Sequence, residues 1–138
     1  MNMTQVHRFV RKVSGGDEIA IGICPSSERF AAYVDRGKTI WLVKNTFFSY
    51  PELEQKVVLA HEIGHIKTPT VKGVSKREYA ASRWAINRAY KLGMKRVARS
   101  HKKWLRWYEE GLQDHGYWQS YMRRYVLASR MAKKSGLI

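Results

Sequence analysis

One cysteine, three prolines and 11 acidic residues in 138 positions set the first limits on this chain. With Cys24 alone no internal disulfide can form, which removes the small disulfide-stapled class and fits a reducing cytoplasm. The thiol itself reads as a small buried hydrophobe rather than a reactive group. No apolar run approaches the ~20 residues needed to cross a bilayer, and the N-terminal MNMTQVHRFVRK has no apolar signal core, so neither membrane span nor leader is expected. Internal repeats and low-complexity linkers are absent as well. A single domain over residues 1–138 is therefore expected, and 44% hydrophobic content excludes a disordered chain.

Scarce acidic residues leave 26 Lys and Arg in large excess, a formal charge of +15. The excess is uneven. Residues 1–66 hold 8 basic and 7 acidic side chains, whereas residues 67–138 hold 18 and 4, a net of +1 against +14. A field of that sign draws in polyanions or acidic protein surfaces.

The first third of the chain has strand character. TQVHRFVRKV (4–13) forms a short helix ended by Gly15-Gly16. EIAIGIC (18–24), RFAAYV (29–34) and TIWLV (39–43) then read as three strands, separated by Pro25-Ser26-Ser27 and Asp35-Arg36-Gly37 turns. A small antiparallel sheet is the expected product. Ser49-Tyr50-Pro51-Glu52 matches a capping box ahead of a helix that reaches about Ile66. Further helices are expected at about 75–91, from Gly93 to about Glu110, and at 117–133, with 111–116 as a connector. Strands first and helices afterwards indicate an α+β fold, a three-stranded antiparallel sheet followed by about four helices.

The helix after the sheet carries VVLAHEIGHIKT (57–68), and with it an H-E-x-x-H motif. Positions four apart differ by only ~40° around a helix, so His61 and His65 project toward a common point. Two neutral imidazoles one turn apart suit a single Zn²⁺. Glu62 lies ~100° from His61, near enough to reach water on that ion without being a ligand, and a carboxylate there can act as general base. Val57, Val58, Leu59 and Ala60 are apolar on all sides, so this end of the helix belongs in the core.

A catalytic zinc site needs a third protein ligand. Downstream of His65 the candidates are Glu78, His101, Glu109, Glu110, Asp114 and His115. Glu78 stands in the first turn of the next helix, where a short connector brings it back over the metal face. Ser75-Lys76-Arg77-Glu78 also matches a capping box, which would leave Glu78 bonded only to backbone. Trp84 on the same helix reads as a core residue. Tyr79, Tyr50, His101 and His115 could each donate to an oxyanion, and spacing selects none of them.

Two segments, LAHEIGHIKT (59–68) and KREYAASRWAINR (76–88), resemble the ImmA/IrrE family of metallopeptidases, with the E-x-x-A-x-x-W-A pattern of its phage and mobile-element members. The resemblance covers roughly residues 16–92. It implies a zincin-like fold, one Zn²⁺ per chain held by His61, His65 and Glu78, and Glu62 as the catalytic base. It also implies an endopeptidase of narrow specificity that cleaves a DNA-binding repressor or similar regulator. Two positions depart from the pattern. Ala80 stands where members often carry a second acidic residue, and Arg88-Ala89-Tyr90 replaces an apolar, proline-ended stretch.

Residues 93–138 read as a basic helical extension of that zinc-site core. Lys95, Arg96, Arg99, Lys102, Lys103 and Arg106 recur at steps of three and four, a cationic stripe opposite Val97, His101, Trp104, Leu105 and Tyr108. Farther on, Tyr117, Trp118, Tyr121 and Tyr125 alternate with arginines and lysines, a mixture that suits nucleic acid as well as an ordinary amphipathic helix. Lys95, Arg99, Lys102 and Arg106 are the expected contacts to non-specific DNA or to an acidic protein surface. The alternative to a peptidase is a non-catalytic DNA- or protein-binding module with a structural zinc. Glu62 separates the two, because a structural site has no use for a carboxylate beside its ligands.

Overall fold

The computed structural model describes residues 1–24, 31–35 and 38–115. Along the chain it runs α1 (Met3–Ser14), β1 (Ile21–Cys24), β2 (Ala32–Val34), β3 (Ile40–Val43), α2 (Lys44–Phe47), α3 (Glu52–Lys67), α4 (Val74–Lys91) and α5 (Lys95–His115). The Pro25-Ser26-Ser27 turn, Arg36-Gly37 and the expected helix at 117–133 lie outside the described residues.

The N-terminal helix is closed at both ends by local chemistry. The Asn2 side chain accepts from the Gln5 amide at 2.9 Å, while the Gln5 side chain accepts from the Asn2 amide at 2.8 Å. Gly15, at φ 86°, ends the helix in the left-handed conformation that glycine adopts without strain. Val6, Phe9, Val10 and Val13 form its buried stripe. Arg88 of α4 donates from Nε to the Val13 carbonyl at 2.8 Å, satisfying a C-terminal acceptor and tying α4 to α1.

The sheet is mixed, not antiparallel. Its order is β1-β3-β2, with β1 parallel to β3 (Ile21↔Ile40 through Cys24↔Val43) and β2 antiparallel to it (Ala32↔Leu42, Val34↔Ile40). Alternation in a sequence assigns faces to strands but does not assign neighbours. The central place goes to β3, the most apolar strand, where Ile40, Leu42 and Val43 are buried; β1 and β2 sit half-covered at the edges. Cys24 is half-buried at the end of β1.

Two helix boundaries also differ from expectation. Pro51, not Ser49, precedes the first turn of α3, without a side-chain cap. The Ser49 hydroxyl donates instead to the Thr46 carbonyl at 2.7 Å, a local backbone bond that competes with capping. α5 continues through the expected connector to His115. A glycine in a helix interior costs only about 1 kcal/mol, too little for Gly111 to stop it.

From Val57 to Gly64 every residue of α3 is buried, more than two turns with no solvent face. α1, β2, α4 and α5 all pack on it. Its C-terminus is closed by Thr68, whose hydroxyl and amide both donate to the Gly64 carbonyl, at 2.8 and 3.0 Å. Gly73, at φ 93°, then starts α4 back across α3. The two helices meet backbone to backbone. A Cβ at Gly64 would overlap the Ala81 carbonyl oxygen and lie 2.8 Å from its carbonyl carbon. Ala85 and Ala89 continue the small-residue face of α4, and both are buried. Trp84 is half-buried against the main core. Among the described residues no helix is long and apolar enough to cross a membrane.

Gly64→Ala is expected to destabilise the protein by about 1–3 kcal/mol through backbone overlap. That outweighs the roughly 1 kcal/mol of helix propensity that alanine adds. Chemical denaturation checks the sign; a more stable variant would mean the helices separate freely.

Candidate metal centre

His61 and His65, one turn apart on α3, both direct Nε2 at one carboxylate oxygen of Glu78 on α4. The distances to Glu78 Oε2 are 2.7 Å from His61 and 2.9 Å from His65, and the two ring nitrogens are 3.1 Å apart. The rings stand nearly perpendicular, at 89°, which aims each Nε2 into a shared space instead of stacking the planes. Glu78 is not a helix cap: Gly73 precedes the first turn of α4 and no side chain caps it. The register of α4 follows from its contact with α3. With Ala81 seated on Gly64, Glu78 falls one turn earlier, over the histidines, and Ser82 falls beside His61.

Burial sets the charges. His61 and Glu78 are 4% and 6% exposed, and His65 is half-buried. Burial pulls the His61 pKa below its ordinary value, against the pull of Glu78, so the imidazole is neutral near neutral pH. Burial alone would raise the Glu78 pKa, but hydrogen bonds from both histidines outweigh it, and its carboxyl is held below the usual range. A neutral imidazole and an ionised carboxylate are the forms that bind metals. His61, His65 and Glu78 offer ligand atoms all within 4.8 Å of one another, a group that could hold a metal ion. Without the Nε2 protons that bond to Glu78, the two nitrogens and the carboxylate oxygen are close enough to meet on one cation.

Glu62, 5% exposed, lies next to this group. Burial, then the charge of Glu78, pushes its pKa well above the ordinary glutamate value. Its carboxylate has no hydrogen-bond partner among the described residues. With His65 and Glu78 it lines a cleft of about 260 Å³ between edge strand β2 and the start of α4. Tyr33, Thr68 and Arg77 supply the other polar groups of that cleft. Glu62 and two members of the group, His65 and Glu78, therefore share one opening, with His61 behind them.

Comparison of the chain with protein-family models, curated proteins and solved structures returns no match. The geometry stands by itself.

Of the other residues singled out in the sequence, His101 is not a fourth member of the group. Its ring lies 5.9 Å from that of His61, with Ser82 between them: His61 Nδ1 is 2.9 Å and His101 Nε2 3.0 Å from Ser82 Oγ. Tyr50 is buried away from the cleft lining, Tyr79 is exposed, and the side chains of Glu109, Glu110, Asp114 and His115 lie outside the described residues. Lys95, Arg99, Lys102 and Arg106 are exposed on α5 and form no part of the metal group or its cleft. Sequence reasoning missed Ser82, Tyr33 and Arg77. Only Ser82 had a readable signal, its place one turn after Glu78 on the same helix face.

Purified protein is expected to bind one metal equivalent per chain, and Glu78→Ala to lose most of it. Elemental analysis after metal loading and desalting checks this; undiminished content in the variant would leave Glu78 a packing residue.

Proposed function

We propose that this chain is a zinc-dependent endopeptidase of zincin-like fold, acting on a narrow set of protein substrates. The observation that carries the reading is the placement of Glu62, a buried carboxylate facing the cleft beside His61, His65 and Glu78. Two imidazoles and a carboxylate suit zinc in an open catalytic site, with a position left for water or substrate. A zinc ion bound there would supply positive charge that acidifies water and polarises a peptide carbonyl. His61, His65 and Glu78 would hold the ion. Glu62 takes a proton from the attacking water and delivers it to the departing amine, which completes hydrolysis with no net change at the carboxylate.

The resemblance of residues 59–68 and 76–88 to the ImmA/IrrE peptidases supports a DNA-binding repressor or similar regulator as substrate. The competing reading, a binding module around a structural zinc, gives Glu62 nothing to do.

The basic half supports a docking role. Lys95, Arg96, Arg99, Lys102, Lys103 and Arg106 are all exposed, while Val97, Ala98, His101 and Leu105 on the opposite side of α5 are buried. Lys102 lies over the Tyr90 ring, 5.4 Å from its centre. We assign this face to DNA phosphates or an acidic protein surface near the substrate.

Glu62→Gln is expected to keep fold and metal but lower proteolysis roughly 100-fold or more, because the amide cannot accept the proton. Comparing proteins shortened in cells that express the wild type or the variant measures this. Equal cleavage by both would remove Glu62 from the chemistry.

Binding of wild type to an unrelated DNA duplex is expected to weaken steeply as salt rises, because each neutralised phosphate releases counterions. Reversing Arg99, Lys102 and Arg106 to Glu should weaken binding to every sequence about equally, since phosphate contacts carry no base information. Titrations at two salt concentrations check both. Absence of salt-sensitive binding by wild type would point to an acidic protein instead.

A further inference from the structure

Behind the metal group, on the side away from the cleft, three buried side chains from three helices stand in line. His61 Nδ1 on α3 meets Ser82 Oγ on α4 at 2.9 Å, and Ser82 Oγ meets His101 Nε2 on α5 at 3.0 Å. Ser82 and His101 are each 1% exposed, so water does not compete for these bonds. The far nitrogen of His101, Nδ1, is buried with no hydrogen-bond partner among the described residues. No reason of packing calls for two imidazoles and a hydroxyl at this depth, where apolar side chains of the same size would avoid that unpaired atom.

The hydroxyl has one proton, so the pair of bonds runs in one of two senses. In one, His101 donates from Nε2 to Ser82 and Ser82 donates to His61 Nδ1. The neutral His61 ring then carries its proton on Nε2, which blocks that atom as a ligand. In the other, His61 donates from Nδ1 to Ser82 and Ser82 donates to His101 Nε2. His61 Nε2 then has its lone pair free, and His101 carries its own proton on the unpaired Nδ1. Only the second sense is compatible with a cation among His61, His65 and Glu78.

We propose that Ser82 and His101 are positioning residues that hold His61 in the ring orientation and tautomer that leave Nε2 free to ligate a metal ion. The proposal rests on the reading of His61, His65 and Glu78 as a metal site. Ligating histidines commonly donate their second nitrogen to a carboxylate, a carbonyl or water. Here a serine takes that part, and a second histidine sets the direction of the serine's own proton. Because the three residues come from α3, α4 and α5, the relay also couples the seating of α5 to the competence of the site.

The test is metal affinity, measured by competition with a chromophoric chelator, together with the visible absorption of the Co²⁺-substituted protein. Ser82→Ala removes one oxygen without adding bulk. It is expected to lower zinc affinity about 10- to 100-fold and to alter the Co²⁺ spectrum. Ser82→Thr, which keeps the hydroxyl, should stay near wild type. His101→Leu should fall between wild type and Ser82→Ala, because Ser82 can still accept from His61. His101→Gln should recover most of the loss by restoring an acceptor. Thermal melts of the metal-free proteins separate a folding effect from a ligand effect. If Ser82→Ala lowers only the metal-free melting temperature and binds zinc and Co²⁺ as wild type does, the relay is packing and the proposal is overturned. If wild type itself takes up neither metal, the site reading fails, and the relay fails with it.

Discussion

The approach of α4 to α3 at Gly64 and Ala81 is the contact on which the rest of the structure depends. With no side chain at Gly64, two helix backbones come together at a distance that any Cβ would prevent. That contact sets the register, and several other features follow from it. Glu78 comes to lie over His61 and His65. Ser82 lies behind His61, and the small face of α4 closes over the buried wall of α3. A larger residue at this point would shift α4 by a few tenths of an ångström or more, and the three ligand atoms would separate. Gly64, the third residue after His61 within H-E-x-x-H, therefore serves the site without touching it.

Burial and charge oppose each other around this contact. A carboxylate as deep as Glu78 is costly unless its charge is met by donors or by a cation. The two imidazoles meet it, and the result is an ionised Glu78 beside a neutral His61. Glu62 has no such donors, and burial pushes its proton affinity the other way. Two carboxylates that line one cleft thus shift in opposite directions, Glu78 below and Glu62 above the ordinary glutamate value. Among the described residues, none of the exposed cations of α5 lines this cleft.

Some of the architecture was legible before any coordinates. The short N-terminal helix over 4–13 and its glycine stop were plain, because helix propensity and the left-handed preference of glycine are local properties. The burial of Val57 to Ala60 was equally clear, since four consecutive apolar residues on a helix leave no polar side. The sheet was legible in its strands but not in its order. Pairing β1 with β3 depends on which strand buries the most surface once the sheet packs on α3, and no local pattern records that. The start of α3 was misplaced because the Ser49 hydroxyl donates to the Thr46 carbonyl instead of capping the helix.

For the site, the sequence by itself determined the motif: two histidines one turn apart and a glutamate between them, whose directions follow from the pitch of a helix. It left Glu78 between ligand and helix cap, because both roles use the same spacing from Ser75. Only the tertiary structure removed the cap reading, by starting α4 after Gly73, and brought Glu78 against His61 and His65 in a group that could hold a metal ion. It alone joined Ser82 and His101 to the ligands and placed Tyr33 and Arg77 in the cleft. The physical reason is the same in each case. Helix geometry relates residues within one turn, whereas contacts between helices depend on how closely two backbones approach, and that was set by the side chain that Gly64 lacks.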